Sequence, residues 1–219
     1  MEFDLEQVDR LLTTTRAVRR RLDLERPVEQ QVLLDCLEIA LQAPNGSNRQ
    51  SWRFVIVRDP AKKKAIAELC RESSGGLGVR LQEEARAAGD HATERLYASA
   101  VHLMDHLEEV PVLVIPCYVG RPEHFAGNAA MGAASLYGSI FPAVWSFQLA
   151  LRSRGLGSAI TTVHLLREAE VAKLLGIPDD VSQIALLPVA YTKGTDFRPA
   201  PRQPLEEVTY VDRWGAALR

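Results

Sequence analysis

"APNGSNRQSWRFVIV", residues 43–57, compresses a helix stop, a polar loop and a strand start into fifteen residues. Pro44 ends a helix, because its ring disfavours helical geometry in the residue before it. Phe54–Val57 is a continuous apolar run of the kind buried on both faces of a sheet, and Asp59-Pro60 then caps a helix through about Cys70. Upstream, Val28, Val32, Cys36, Ile39, Ala40 and Ala43 recur at three- and four-residue steps, which predicts an amphipathic helix over 28–43 entered through Pro27. Between helix and strand stand Asn45, Ser47, Asn48, Arg49 and Gln50. Amide side chains offer donors and acceptors together, the mixture that a flat heterocycle with carbonyl and ring-nitrogen edges requires. Asn45-Gly46 also reads as a plain turn, and both readings are open at this point.

The same alternation of elements continues along the chain. Ser73–Asp90 carries "SSGG", many charges and a weak apolar stripe, and reads as a mobile flap, whereas Leu96, Ala100, Leu103 and Leu107 restore a helical stripe that stops before Pro111. "VLVIPCY", 112–118, is a second buried strand in which Pro116 points to an edge or a bulge. Residues 133–151 are apolar on nearly every side, with Pro142 tolerated only near the start of the segment; a helix enclosed on all faces, in part by a second subunit, would explain this. After Gly155-Leu156-Gly157, "SAITTV" is read as a strand, 167–175 as a short helix and "IALLPVAYT", 184–192, as a further strand. Pro199, Pro201 and Pro204 force the tail into an extended course over a surface. With no internal repeat, one domain over 1–219 is the economical reading.

Composition excludes several functions. The 219 residues are 47% hydrophobic and carry a formal net charge of -2, so no global field recruits nucleic acid or an anionic membrane. Cys36, Cys70 and Cys117 are far apart, odd in number and set in apolar contexts, as reduced core thiols in the cytoplasm would be. No apolar run reaches the roughly 18 residues of a membrane span. His102 and His106 share a helical face but lack a third ligand, and His164 reads as structural. No nucleophile elbow, P-loop or G-x-G-x-x-G is present, so an enzyme built on this chain would leave the hard step to a bound cofactor. Arg16, Arg19 and Arg20 fall on one side of a helical turn, and Arg202 lies in the tail. They form either a solvated basic face or, if they converge, an anion clamp.

In order, "TRAVRRR", "APNGSNRQSWRFVIV", "GLGSAITTV" and "RQPLEEV" resemble the flavin-dependent nitroreductase family over about 15–214. The resemblance implies an α+β fold with a central, mostly antiparallel sheet flanked by helices, and a homodimer with an extended C-terminal arm, 196–219, embracing the partner. It also implies FMN bound at the subunit interface. Its phosphate and ribityl contacts fall on Arg16, Ala17 and Arg19, with the family's first arginine and serine replaced and Arg20 alongside. Asn45, Ser47, Asn48 and Gln50 match the loop at the flavin's pyrimidine edge, where Ser51 replaces a proline. Ile160, Thr161 and Thr162 lie beside the ring, Arg202 returns to the phosphate, and Ser139 and Ile140 belong to a segment approaching the ring from the dimer mate. The implied activity is ping-pong hydride transfer from NAD(P)H through FMN to a nitroaromatic, quinone or similar small-molecule acceptor, with no catalytic side chain and no metal. A flavin-storage protein, a dehalogenase or a flavin-degrading enzyme would share these residues.

Overall fold

In the computed structural model, residues 2–125 and 128–217 are described, and the chain divides into two compact units, 1–15 with 196–219, and 16–195. The smaller unit contains helix α1 (Leu5–Thr14), started by Asp4, whose carboxylate accepts the Gln7 N–H at 3.1 Å, and a tail with one 3-10 turn at Leu205–Glu207 and a bridge between Tyr210 and Ala217.

The larger unit is a five-stranded sheet with helices, the α+β class that the family resemblance implies. Its strands are β1 (Trp52–Val57), β2 (Val112–Val119), β3 (Leu156–Ser158), β4 (Val181–Gln183) and β5 (Leu187–Tyr191). They pair antiparallel in the order β1-β2-β5-β3, with β4 also on β2. β1 is therefore an edge strand, exposed at Arg53 and half-buried at Phe54, Val55 and Ile56, not a strand covered on both faces.

Pro116, by contrast, sits in the buried central strand. Val119 N–H bonds the Ser51 carbonyl on the β1 side. In an antiparallel strand alternate residues point the same way, so the Pro116 nitrogen faces the opposite side. There β2 exchanges partners: Val112–Val114 pair with β5 and Cys117–Val119 with β4. The missing N–H falls at that changeover, and the Pro116 carbonyl still accepts from Ile184 N–H at 2.9 Å.

Helix α2 (Gln30–Ala40) is shorter than the periodicity predicts: Leu33, Cys36 and Ala40 face the core and Ile39 is exposed. Asp59 caps α3 (Pro60–Ser74) by accepting from Lys62 N–H at 2.9 Å. The segment expected as a flap is helical instead. Gly75 and Gly76, both left-handed, end α3 and launch α4 (Leu77–Ala87), which packs antiparallel-fashion beside α5 (His91–Asp105). The glycines thus separate two helices where charge and weak periodicity alone suggest a loop.

Helix α6 (Ala129–Ser153) has 25 residues and carries Pro142 in its middle, not near its start. The carbonyl that Pro142 leaves unbonded belongs to Gly138, an exposed residue without a side chain to crowd the ring. One face of α6, including Leu136, Ile140, Val144, Phe147 and Leu151, is fully buried against α2 and the sheet. The other leaves Tyr137 and Trp145 each 42% exposed, with Phe141 between them and its ring 5.9 Å from that of Tyr137. The expectation of a helix enclosed on all faces is not met within one chain; an aromatic stripe at i, i+4 and i+8 stays uncovered. The last helix is α7 (Glu168–Leu175). Among the described residues no helix is long and apolar enough to cross a membrane.

Candidate functional site

Two close approaches hold the candidate residues, one at β3 and one at the loop that enters β1, at opposite edges of the sheet. The first joins the arginine-rich arm to β3. Ala17 bridges Ser158 in parallel, Val18 N–H bonds the Ser158 carbonyl at 2.8 Å, and Leu22 bridges Thr192 after β5. Contact this close requires Gly157: a Cβ there would stand 2.9 Å from Val18 Cβ and 2.7 Å from Thr192 Cγ2. The arm therefore lies beside the segment 160–162 that leaves β3. This segment is past the end of the regular strand, which covers only Leu156–Ser158, and is held by reciprocal bonds between Thr161 and Leu186, 3.0 and 2.8 Å. Ile160 and Thr162 are exposed, and the hydroxyls of Thr161 and Thr162 make no hydrogen bond among the described residues.

The second approach fixes the loop 45–50. Gly46 N–H donates to Ser139 Oγ on α6 at 3.0 Å, and Ser139 Oγ donates to the Ser135 carbonyl at 2.6 Å. Asn45 Oδ1 accepts from Gln50 N–H at 2.9 Å, which closes the loop on itself. Ser47, Asn48 and Gln50 have φ of 53°, 49° and 51°. Three non-glycine residues in the left-handed region within four positions cost on the order of 1 kcal/mol each, and such strain collects at ligand-binding loops. Asn45 is half-buried, and Ser47, Asn48 and Gln50 are exposed.

Both approaches hang on α6. Its Ser139 holds the loop, and nine residues later Gln148 Nε2 donates to Ser158 Oγ of β3 at 2.9 Å. At 1.5 Å per residue the two anchor points lie about 13 Å apart along the axis. Within one chain Ile140 is fully buried in the core, and Ser139, 3% exposed, positions the loop through its hydroxyl. Gln148 and Gly157 carry no signal in the sequence beyond a polar residue and a glycine in apolar surroundings.

The arginines divide. Arg20 Nη2 donates to the Ala98 carbonyl of α5 at 3.2 Å, so it ties the α4–α5 pair to the arm. Arg16 and Ala17 are exposed. Arg19 is half-buried, makes no side-chain hydrogen bond or ion pair among the described residues, and has its pKa pushed below the ordinary value by burial. A desolvated cation with no counter-charge is costly. Arg202 lies in the smaller unit, exposed, its Nη1 on the Pro201 carbonyl at 2.9 Å. The rings of His102 and His106 lie 4.5 Å apart, tilted by 50°, and no metal-binding trio of His, Cys, Asp or Glu occurs among the described residues.

A partly desolvated arginine, a strained amide loop and a strand exit, the last two braced by one helix, are the candidate residues on this α+β scaffold. The chain belongs to the nitroreductase family, whose model matches residues 12–191, and this membership makes it an oxidoreductase. It is 32% identical over 206 residues to the NADH dehydrogenase of Thermus thermophilus, covering 88% of this chain and 90% of the relative. It is 29% identical to the iodotyrosine deiodinase of Thermotoga neapolitana over 90% of this chain and 93% of that protein. Among solved structures, oxidised iodotyrosine deiodinase bound to FMN and 3-iodo-L-tyrosine superposes with a TM-score of 0.67 at 25% identity, covering 90% of this chain and 96% of that one. A BluB-like flavoprotein from Clostridium difficile shares the fold with a TM-score of 0.69.

Proposed function

We propose that the chain binds FMN and uses it to move hydride from NAD(P)H to a nitroaromatic, quinone or similar small acceptor in two successive half-reactions at one place. The observation that carries this reading is Arg19, a half-buried guanidinium with no hydrogen-bond or ion-pair partner among the described residues, in a family whose deiodinase relative is seen with FMN. The residues fit the group. Arg16 and Arg19 take the phosphate, a fork-shaped donor meeting a tetrahedral anion. The amides of Asn45, Asn48 and Gln50, with Ser47, face the ring's polar edge and the ribityl hydroxyls, and their strained backbone keeps them in place before the ligand arrives. Ile160 lies against the ring, and Thr161 and Thr162 supply donors with no competing internal bond. When bound, FMN supplies the redox chemistry itself, accepting and releasing hydride. The protein's part is to hold donor and acceptor in line, place positive charge and N–H groups where negative charge develops, and keep water away. No side-chain acid or base is assigned.

A homodimer completes the reading, with each 196–219 segment reaching its partner and Arg202 returning to the phosphate. The uncovered Tyr137, Phe141 and Trp145 stripe supports it, since an aromatic band of this kind on a helix marks an interface. Anaerobic addition of NADH and NADPH to the yellow protein tests the function. Bleaching of the flavin band is expected. Colour that persists with both donors favours storage, and a colourless protein that takes up no FMN overturns the assignment. Reductive dehalogenation is a second reading, favoured by the deiodinase relative, and release of iodide from an iodophenol after reduction would select it.

Arg19→Ala is expected to weaken FMN binding about 30-fold, roughly the 2 kcal/mol of one charge-assisted hydrogen bond, while leaving the melting temperature of the flavin-free protein unchanged or slightly raised. Fluorescence quenching of free FMN on titration measures it, and unaltered affinity removes Arg19 from the site. For Arg202→Ala a similar loss is expected, accompanied by faster FMN release on dilution; retention equal to the parent detaches the tail from the cofactor.

A further inference from the structure

The α4–α5 pair borders a half-open cavity of about 400 Å³ against the end of α3, lined by Leu77, Leu81, Tyr97, Val101, Met104 and Val163 among others. That volume lies within the roughly 300 to 1,000 Å³ of small-molecule sites. We propose that this cavity receives an apolar substituent of the acceptor, so that the chain reduces neutral molecules carrying a hydrocarbon side chain in preference to their unsubstituted or acidic counterparts. The inference rests on the flavin reading above and names the substrate class for the same site.

Three observations carry it. Two chain connections tie the cavity to the candidate residues: Val163 follows Thr162 directly, and Tyr97 precedes Ala98, whose carbonyl is bonded to Arg20 of the arm. Its walls are left apolar and open, with Leu77 and Val79 of α4 49% and 44% exposed and Ala85 alone buried on that helix. A short helix that buries almost none of its apolar residues within the chain calls for a ligand to cover them. The charges complete the selection. Arg71, the one cation in the lining, is taken by Glu108 at 2.9 Å and by the Met104 carbonyl at 3.3 Å, whereas Asp105 keeps a carboxylate with no hydrogen bond among the described residues. An acceptor with an acidic tail would meet repulsion there and no free cation.

For a quinone the overall step is NAD(P)H + H⁺ + quinone giving NAD(P)⁺ + hydroquinone: two electrons move with the hydride, and the second proton comes from solvent. The probes are benzoquinones with substituents of increasing length up to decyl, and a decyl analogue ending in a carboxylate. Calorimetric Kd and steady-state KM are measured for the FMN-loaded protein, for Ala100→Trp, which fills the cavity from α5, and for Leu77→Asp, an exposed wall position that tolerates the charge. Each added methylene is expected to tighten binding about threefold to fourfold until the cavity is full, with the carboxylate form weaker than its neutral partner. In both variants the series should flatten toward a ratio of one. A parent protein whose Kd and KM ignore chain length overturns the inference while bleaching by NAD(P)H leaves the flavin reading standing. Chain-length-dependent binding to a protein that no acceptor reoxidises overturns the flavin reading and, with it, the cavity's role in accepting a substrate.

Discussion

Gly157→Val is expected to empty the flavin site and to lower stability by about 3 kcal/mol, the upper part of the range for overpacking a tight contact. The valine Cβ would stand 2.9 Å from both Cβ and Cγ2 of Val18 and 2.7 Å from Thr192 Cγ2, and its methyls would reach further. Neither neighbour can yield cheaply. Val18 is 4% exposed and its N–H is bonded to Ser158, while Thr192 N–H is bonded to the Gly155 carbonyl at 3.0 Å. The arm must therefore leave β3, and Arg16 and Arg19 leave with it. For a chain of this size that cost corresponds to a melting temperature roughly 6 to 12 °C lower. Thermal scanning with flavin absorbance after gel filtration checks both parts. Gly138→Ala is the control, because a Cβ at that exposed helical position meets nothing within 4 Å. A yellow Gly157→Val protein with the parental melting point would refute the close approach as the device that holds the arm.

The second large effect is on acid stability. His164 lies in the 3-10 turn Val163–Arg167 packed against α3, is fully buried, and has no partner for either ring nitrogen. Burial lowers its pKa to about 4 from 6.5, against an upward pull from Glu168. The unfolded chain thus takes up a proton on this residue near pH 6.5 and the folded chain only near pH 4. Within that window the unfolded state binds more protons, so stability falls as the pH is lowered and levels off below it. The loss amounts to about 3 kcal/mol, at 1.36 kcal/mol per pH unit. His164→Leu should erase this limb and be at least as stable at pH 7, since two buried orphan nitrogens disappear with the ring. Urea unfolding at half-unit steps from pH 7 to 4 measures it. Half-buried carboxylates such as Glu94 and Glu108, whose pKa values are lowered by hydrogen bonds from Arg86 and Arg71, weaken both proteins alike at the acid end. Parallel curves for parent and variant would mean that water or another group already satisfies the imidazole.

What the sequence discloses, it discloses through local chemistry. Asp59-Pro60 starts α3 where its cap predicts, and the amide cluster of 45–50 is a loop with backbone strain. Pairing is a matter of distant neighbours and is not legible from one strand. Pro116 reads as an edge residue because its missing N–H is visible and the change of partner from β5 to β4 is not. The stretch 77–87 reads as a flap because α4 keeps its apolar residues beside a cavity, which weakens the stripe that marks a packed helix. Arg19 is distinguished from Arg20 only when α5 arrives to occupy the latter. Gly157 and Gln148 stay silent for the same reason, since what they touch is remote in the chain.

Helix α6 measures out the pocket as a spar with two pegs, Ser139 under the loop and Gln148 under β3. Inserting a single residue between the pegs would rotate one against the other by about 100°, so that one hydrogen bond is lost even though composition, hydropathy and helix propensity are untouched. Substitution along this interval is therefore tolerated far better than any change in its length, and a gap there in an otherwise similar sequence would signal a reshaped flavin cleft.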